Sequence, residues 1–199
     1  MAQRRQWMIA RIGGPKSYSD LAAARMFGVS AASSFLLRRS FEGCLGAASV
    51  AMARYALVPV ENTINGKISD RKSGPTVEEM ASEMGLVVAR RLRLRVRHVL
   101  ASRGRLEDIR MVYSKRQPIE QCGRLVRRLG LRASDRAPNG EVLPDTSAAA
   151  KLVASLDINV AAICNAEAAA HYGLDVIKST GVADRRNNFT TFHAYSRGR

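Results

Sequence analysis

Apolar residues follow two rhythms along the chain. From Arg91 to Arg97, arginine alternates with Leu92, Leu94 and Val96, a period of two that predicts a strand with one apolar and one cationic face. Tyr55-Ala56-Leu57-Val58-Pro59-Val60 is an unbroken apolar run, the pattern of a strand buried on both faces. Ile119, Cys122, Leu125, Val126 and Leu129 recur at helical spacing up to Gly130, which predicts a single amphipathic helix.

The remaining elements fall between these anchors. A short strand over Trp7 to Ile12 ends at Gly13-Gly14-Pro15, and Ser17 or Ser19 then caps a helix running to Phe27. Ala-rich Phe41 to Arg54 suits a helix, as does the shorter Glu78 to Met84 before Leu86-Val87-Val88. Ile109 to Tyr113 is a strand candidate. Asp145-Thr146-Ser147 caps a helix through Leu156, Asn159 to Cys164 forms a strand, and Glu167 to His171 forms a short helix closed by Gly173. Strands over Asp175 to Ser179 and Phe189 to Tyr195 complete the pattern. Such alternation indicates an α/β protein with mainly parallel sheets, in which ligands sit on the loops leaving the strands' carboxyl ends. Those loops are Gly13 to Ser19, Glu61 to Gly66, Ser114 to Gln121, Asp145 to Ser147 and the approach to Thr190. Their hydroxyls, amides and helix starts suit carboxylates without help from a metal.

Composition narrows this picture. With 199 residues, 46% of them hydrophobic, the chain can bury one large core or two small lobes sharing a cleft. Cys44, Cys122 and Cys164 are odd in number and lie in apolar segments, so they read as reduced and buried. His98, His171 and His193 are scattered and no Cys-x-x-Cys occurs, so neither a metal nor another cofactor is expected. The formal charge of +15 comes mostly from arginines spread along the chain, with a single tryptophan. That distribution favours a solvated surface over a nucleic-acid site and adds an attraction for a small polyanion. The apolar stretch after Arg4 and Arg5 is too short for a secretory signal, and no run reaches membrane-spanning length. The expectation is a soluble cytoplasmic protein with no membrane partner.

The predicted loops also carry a family resemblance, in order and over nearly the whole chain. Val58-Pro59-Val60-Glu61-Asn62-Thr63-Ile64-Asn65-Gly66 resembles the Val-Pro-Ile/Val-Glu-Asn-Ser/Thr-x-x-Gly element of prephenate dehydratases. Tyr113-Ser114 with Gln121-Cys122 is similar to the family's Tyr-Ser-His-Pro-Gln-x-x-x-Gln-Cys, and Asp145 to Ala150 to its Asp-Thr-Ala-x-Ala-Ala helix start. Ala161-Ala162-Ile163, Tyr172-Gly173-Leu174, Asp184 and Asn188-Phe189-Thr190-Thr191-Phe192 follow in the same order, where the family ends near Asn-x-Thr-Arg-Phe.

The resemblance implies a two-lobed fold like that of type II periplasmic binding proteins, with the active site in the interlobe cleft. Lobe one would hold residues 1–85 and 178–199, lobe two residues 86–177. The chain would be the catalytic module alone, with no phenylalanine-sensing domain, and would form a homodimer or higher homo-oligomer. Its substrate would be a small dicarboxylate, which loses carbon dioxide and a ring hydroxyl to give phenylpyruvate. On the same grounds Thr190 would assist the departing hydroxyl, with Glu61 and Asn62 as catalytic partners. Ser17, Thr63, Ser114, Gln121, Thr146, Ser147, Thr191 and Phe192 would bind substrate. Ser114 and Thr146 also suit helix caps, and Phe192 fits a core as well as a site wall.

Three positions depart from the family pattern. Thr191 stands where the family has arginine, and a hydroxyl cannot replace a permanently charged, bidentate carboxylate clamp. Gly14-Pro15-Lys16-Ser17-Tyr18-Ser19 is one glycine shorter than the usual loop, and Lys115-Arg116 replaces His-Pro. Lys16, Lys115 and Arg116 are the candidates to supply the missing charge. The departures keep two alternatives open: a non-aromatising prephenate decarboxylase of specialised metabolism, and a binding module without turnover.

Overall fold

Strands and helices alternate along the chain, and the strands gather into two sheets. The computed structural model describes residues 8–28, 35–71 and 73–198. Trp7, with which the first expected strand would open, lies outside them, as do Arg4 and Arg5. The first elements are β1 (Ile9–Arg11), α1 (Tyr18–Phe27), β2 (Phe35–Leu37), α2 (Phe41–Ser49), β3 (Tyr55–Asn62), β4 (Gly66–Lys67), α3 (Val77–Glu83) and β5 (Leu86–Arg95). Next come β6 (Val99–Ser102), β7 (Met111–Tyr113), α4 (Arg116–Gln121), α5 (Gly123–Arg128) and β8 (Arg132–Ser134). The last are α6 (Thr146–Ala154), β9 (Val160–Cys164), α7 (Ala166–His171), β10 (Asp175–Lys178) and β11 (Phe189–Arg197).

These elements form two compact units. One contains the described residues of 1–13, 18–95 and 188–199, the other residues 14–17 and 96–187. In the first, the sheet order is β2-β1-β3-β11-β5, with the short β4 against β3. The apolar run from Ala56 to Val60 is buried throughout, as expected for a strand covered on both faces. Cys44, Leu45, Ala47 and Ala48 of α2 and Val77, Met80 and Ala81 of α3 share a core with Val58 and Val60. Ala22 and Ala23 of α1 join Ile9, Leu57, Leu94, Phe192 and Ala194 in another. Buried Arg11 pairs with Asp20 at 2.7 Å and donates to the Gly13 carbonyl at 2.6 Å. The charge is thereby compensated, and the end of β1 is tied to the start of α1. Helix α2 stops well short of the expected Arg54, because Ala51 turns to φ 59° and the Ala53 amide bonds back to the Ala47 carbonyl.

In the second unit the sheet order is β10-β6-β9-β7-β8. Helices α6 and α7 supply Ala149, Ala150, Val153, Ala168 and Ala169 to one core, while Cys122 and Leu125 belong to another with Val112, Ala161 and Ile163. The single helix expected over Ile119 to Leu129 is two short ones. Cys122, at φ −116° and ψ 19°, leaves helical geometry, and its amide bonds to the Ile119 carbonyl. The Asp184 carboxylate then accepts the Arg124 amide at 3.1 Å, capping the new helix start. Asp145 caps α6 and Asn165 caps α7 through their side chains.

The sheets are mixed rather than mainly parallel. Strand β1 runs parallel to β2 and β3, and β7 parallel to β8 and β9. Strand β11 is antiparallel to both β3 and β5, and β6 is antiparallel to β9 and β10. Burial on both faces identifies an inner strand without fixing its direction, so the apolar runs concealed this reversal. No helix among the described residues is long and apolar enough to cross a membrane.

Candidate functional site

The Asn188–Phe192 segment owes its position to strand register. Thr190 lies opposite Asn62 and Thr191 opposite Glu61 across β3, while Leu94 and Arg93 face the same two threonines from β5. Directly opposed residues project to the same face of a sheet. Thr190 and Asn62 therefore share one face, and Thr191, Glu61 and Arg93 the other.

Asn62 organises this strand end. Its side-chain oxygen accepts the Ile64 and Asn65 amides at 3.0 and 3.2 Å, which fixes the orientation of the carboxamide. Its Nδ2 donates to Asn188 Oδ1 at 2.8 Å, to the Phe189 carbonyl at 3.1 Å and to Thr190 Oγ1 at 3.0 Å. An amide nitrogen cannot accept, so Thr190 is the acceptor and its own proton is directed elsewhere. Thr63 closes the pair of strands: its amide donates to the Phe189 carbonyl at 2.9 Å and its hydroxyl oxygen accepts the Phe189 amide at 2.9 Å. Glu61 is exposed, Thr191 half-buried, and Phe192 is part of the core at 2% exposure.

The second unit holds the other group of sequence-selected residues. Asp145 accepts the Ala148 amide at 2.8 Å through one carboxylate oxygen and the Gly14 amide at 3.2 Å through the other. Ser147 donates its hydroxyl to the Pro15 carbonyl. Asn165 Nδ2 donates to the Lys16 carbonyl at 2.8 Å, and its oxygen accepts the Ala168 amide at 2.7 Å. The Gly14–Ser17 loop is thus fixed at three points, with Lys16 at φ 59° and Ser17 buried next to it; Thr146, between Asp145 and Ser147, is buried too. Ser114 and Gln121 flank α4. The Ser114 hydroxyl donates to the Ile163 carbonyl at 2.7 Å, and Gln121 Oε1 lies 3.1 Å from His98 Nε2. Burial pushes the His98 pKa below its ordinary value, partly opposed by the bond to Gln121. Among the described residues no three His, Cys, Asp or Glu side chains group as a metal site.

Four contributors were not selected from sequence. Asn188 lies inside the quoted motif but next to the more obviously reactive Thr190. Asn165 had a legible signal, since an asparagine directly before an Ala/Glu run is an N-cap signature. His98 and Arg93 carried no local signal, because their roles come from packing and cross-strand register.

A family model described as prephenate dehydratase matches residues 9–198. The chain belongs to the prephenate dehydratase family. The bifunctional chorismate mutase/prephenate dehydratase of Escherichia coli K12 is 31% identical over 196 residues, covering 95% of this chain and 47% of that protein. Arogenate dehydratase/prephenate dehydratase 6, chloroplastic, of Arabidopsis thaliana is 30% identical over 187 residues, covering 92% and 42%. The chain spans about half the length of the curated relatives it matches. The prephenate dehydratase of Arthrobacter aurescens, solved in complex with L-Phe, shares the fold at a TM-score of 0.77 and 21% identity, with 96% of this chain and 61% of that one covered. A structure described as GqqA, a novel type of quorum quenching acylase, gives a TM-score of 0.73 at 26% identity, with 96% and 64% covered.

Proposed function

We propose that this member of the prephenate dehydratase family is a lyase that converts prephenate, or a close relative, to phenylpyruvate in aromatic amino-acid metabolism. The observation that carries the reading is the Asn62–Thr190 hydrogen bond. A donor bound to Thr190 Oγ1 draws electron density from the hydroxyl and leaves its proton free for a departing oxygen. The reaction needs little more from a side chain. The electron pair of the breaking carbon–carboxylate bond enters the ring as the ring carbon–oxygen bond opens. The dianion takes up one proton and yields the phenylpyruvate anion, carbon dioxide and water. Aromatisation supplies the driving force, so the protein's work is orientation and a hydrogen bond to the leaving hydroxyl.

In this reading Thr190 is the donor to the leaving group, Asn62 polarises it, and Glu61 completes the catalytic set. Thr63 and Thr191 shape the same strand end, and Phe192 anchors it from the core. The hydroxyl protons of Ser17 and Thr146, the amide N–H of Gln121 and backbone amides at the Gly14–Ser17 and Asp145–Ser147 loops are assigned to substrate carboxylates, while Ser114 and Ser147, whose hydroxyls donate to the Ile163 and Pro15 carbonyls, hold their loops in place. The purified protein incubated with prephenate should release phenylpyruvate; no turnover of prephenate or arogenate would remove the proposal.

One observation favours a second reading. Thr191 replaces the family's arginine, and weaker hold on the substrate could leave decarboxylation without loss of the hydroxyl. That reaction retains the ring oxygen in a dihydro-hydroxyphenylpyruvate, a product heavier than phenylpyruvate by one water, so mass spectrometry separates the two.

A further inference from the structure

We propose that Arg93 supplies, from the neighbouring strand, the guanidinium that Thr191 does not, and so holds a carboxylate of the substrate; this rests on the lyase reading above. Arg93 lies directly opposite Thr191 in the antiparallel pairing of β5 with β11. Opposed residues have Cβ atoms about 4.5–5.5 Å apart on the same face. An arginine side chain is longer than that separation. Its head can therefore reach the space that an arginine at position 191 would serve.

The direction of the side chain supports the assignment. The Arg93 guanidinium carbon lies 4.3 Å over the Phe189 ring, so the side chain leans along its own face of the sheet toward the strand end, at which Asn62 and Thr190 project from the other face. Phe189 is itself fixed there, its carbonyl accepting from Asn62 and Thr63 and its amide donating to Thr63. Stacking covers one face of a guanidinium while leaving its in-plane N–H donors available, which suits planar carboxylate recognition. Charge supplies a second argument. Glu61 stands opposite Thr191 on the other side and Lys67 of β4 opposite Glu61, so Lys67, Glu61, Thr191 and Arg93 form a row across four strands. Lys67 neighbours Glu61 and reaches Glu78 at 3.7 Å, which leaves Arg93 as the cation of the row directly beside Thr191. Arg95 is less suited, with its guanidinium carbon 5.9 Å from the same ring, and Arg91 lies opposite His193, farther from the strand end.

The test is steady-state kinetics with prephenate for Arg93→Met, Arg93→Lys, and Arg93→Met combined with Thr191→Arg. Methionine keeps the packing on Phe189 but removes the charge, and lysine keeps the charge but loses the planar fork. Arg93→Met should raise KM at least tenfold with kcat within threefold, and Arg93→Lys should fall between it and the parent. Adding Thr191→Arg to Arg93→Met should restore KM to within threefold of the parent, which a packing role would not produce. An unchanged KM in Arg93→Met, or a raised KM that Thr191→Arg leaves unrelieved, would overturn the proposal. Absence of turnover in the unaltered protein would instead remove the lyase reading on which it rests.

Discussion

Thr190 gains its chemical character from a neighbour whose orientation is not free. Two backbone amides hold the Asn62 oxygen, so its nitrogen must face Asn188, Phe189 and Thr190. The account then predicts that Thr190→Val lowers kcat for phenylpyruvate formation by at least about 100-fold, the low end of what a positioned proton donor contributes, while Thr190→Ser stays within tenfold. Equal activity of the valine and parent enzymes would contradict it. A second residue-scale consequence concerns His98. Its folded pKa lies below the ordinary 6.5 because burial disfavours the imidazolium, and burial together with Arg91 moves His193 the same way. The unfolded chain therefore binds protons that the folded one refuses. That contribution is fully present above the unfolded value and is lost as pH falls through the folded one. The melting temperature should hold steady at pH well above the ordinary histidine value and fall once the pH drops below it, with a shallower fall in His98→Gln. A melting temperature that rises on acidification would contradict it.

Strand register and helix ends decide how much of this was legible before the structure. The β3 run and the Asp145 cap could be read directly, because burial on both faces and N-capping leave local residue signatures. The break at Cys122 could not, since Ile119 to Leu129 keeps a helical apolar face on both sides of one non-helical residue. Nor could the insertion of β11 between β3 and β5, which sets Thr190 against Asn62 and Thr191 against Arg93 although these pairs are far apart in the chain. The motif order pointed to Thr190 and Asn62; Arg93 emerged only from the register, while attention to missing charge fell on Lys16, Lys115 and Arg116. Lys16 has a different consequence. The Gly14–Ser17 loop lacks one glycine of the family pattern, and Lys16 sits at φ 59° with its carbonyl held by Asn165. Left-handed backbone costs a non-glycine residue about 1–2 kcal/mol, more than the roughly 0.4–1 kcal/mol of unfolded-state entropy that a glycine adds. Lys16→Gly should therefore raise the urea midpoint of unfolding, and a lowered midpoint would show that the lysine side chain outweighs its backbone strain.

At the scale of the molecule, each unit carries its own sheet, its own cores and its own share of the sequence-selected residues. Family membership rests on a match that runs through both. The net charge of +15 fits this reading without a nucleic-acid partner, since long-range attraction raises the encounter rate with a small dianion. Part of that charge is also structural: Arg11 pairs with Asp20, and Arg90 and Arg93 stack on Phe27 and Phe189. The central claim is that the chain eliminates both the carboxylate and the ring hydroxyl of prephenate. Its most direct test is mass spectrometry of the product formed from prephenate by the purified protein. The account predicts phenylpyruvate with no ring oxygen; a product that keeps the ring oxygen, or prephenate recovered unchanged, would contradict it.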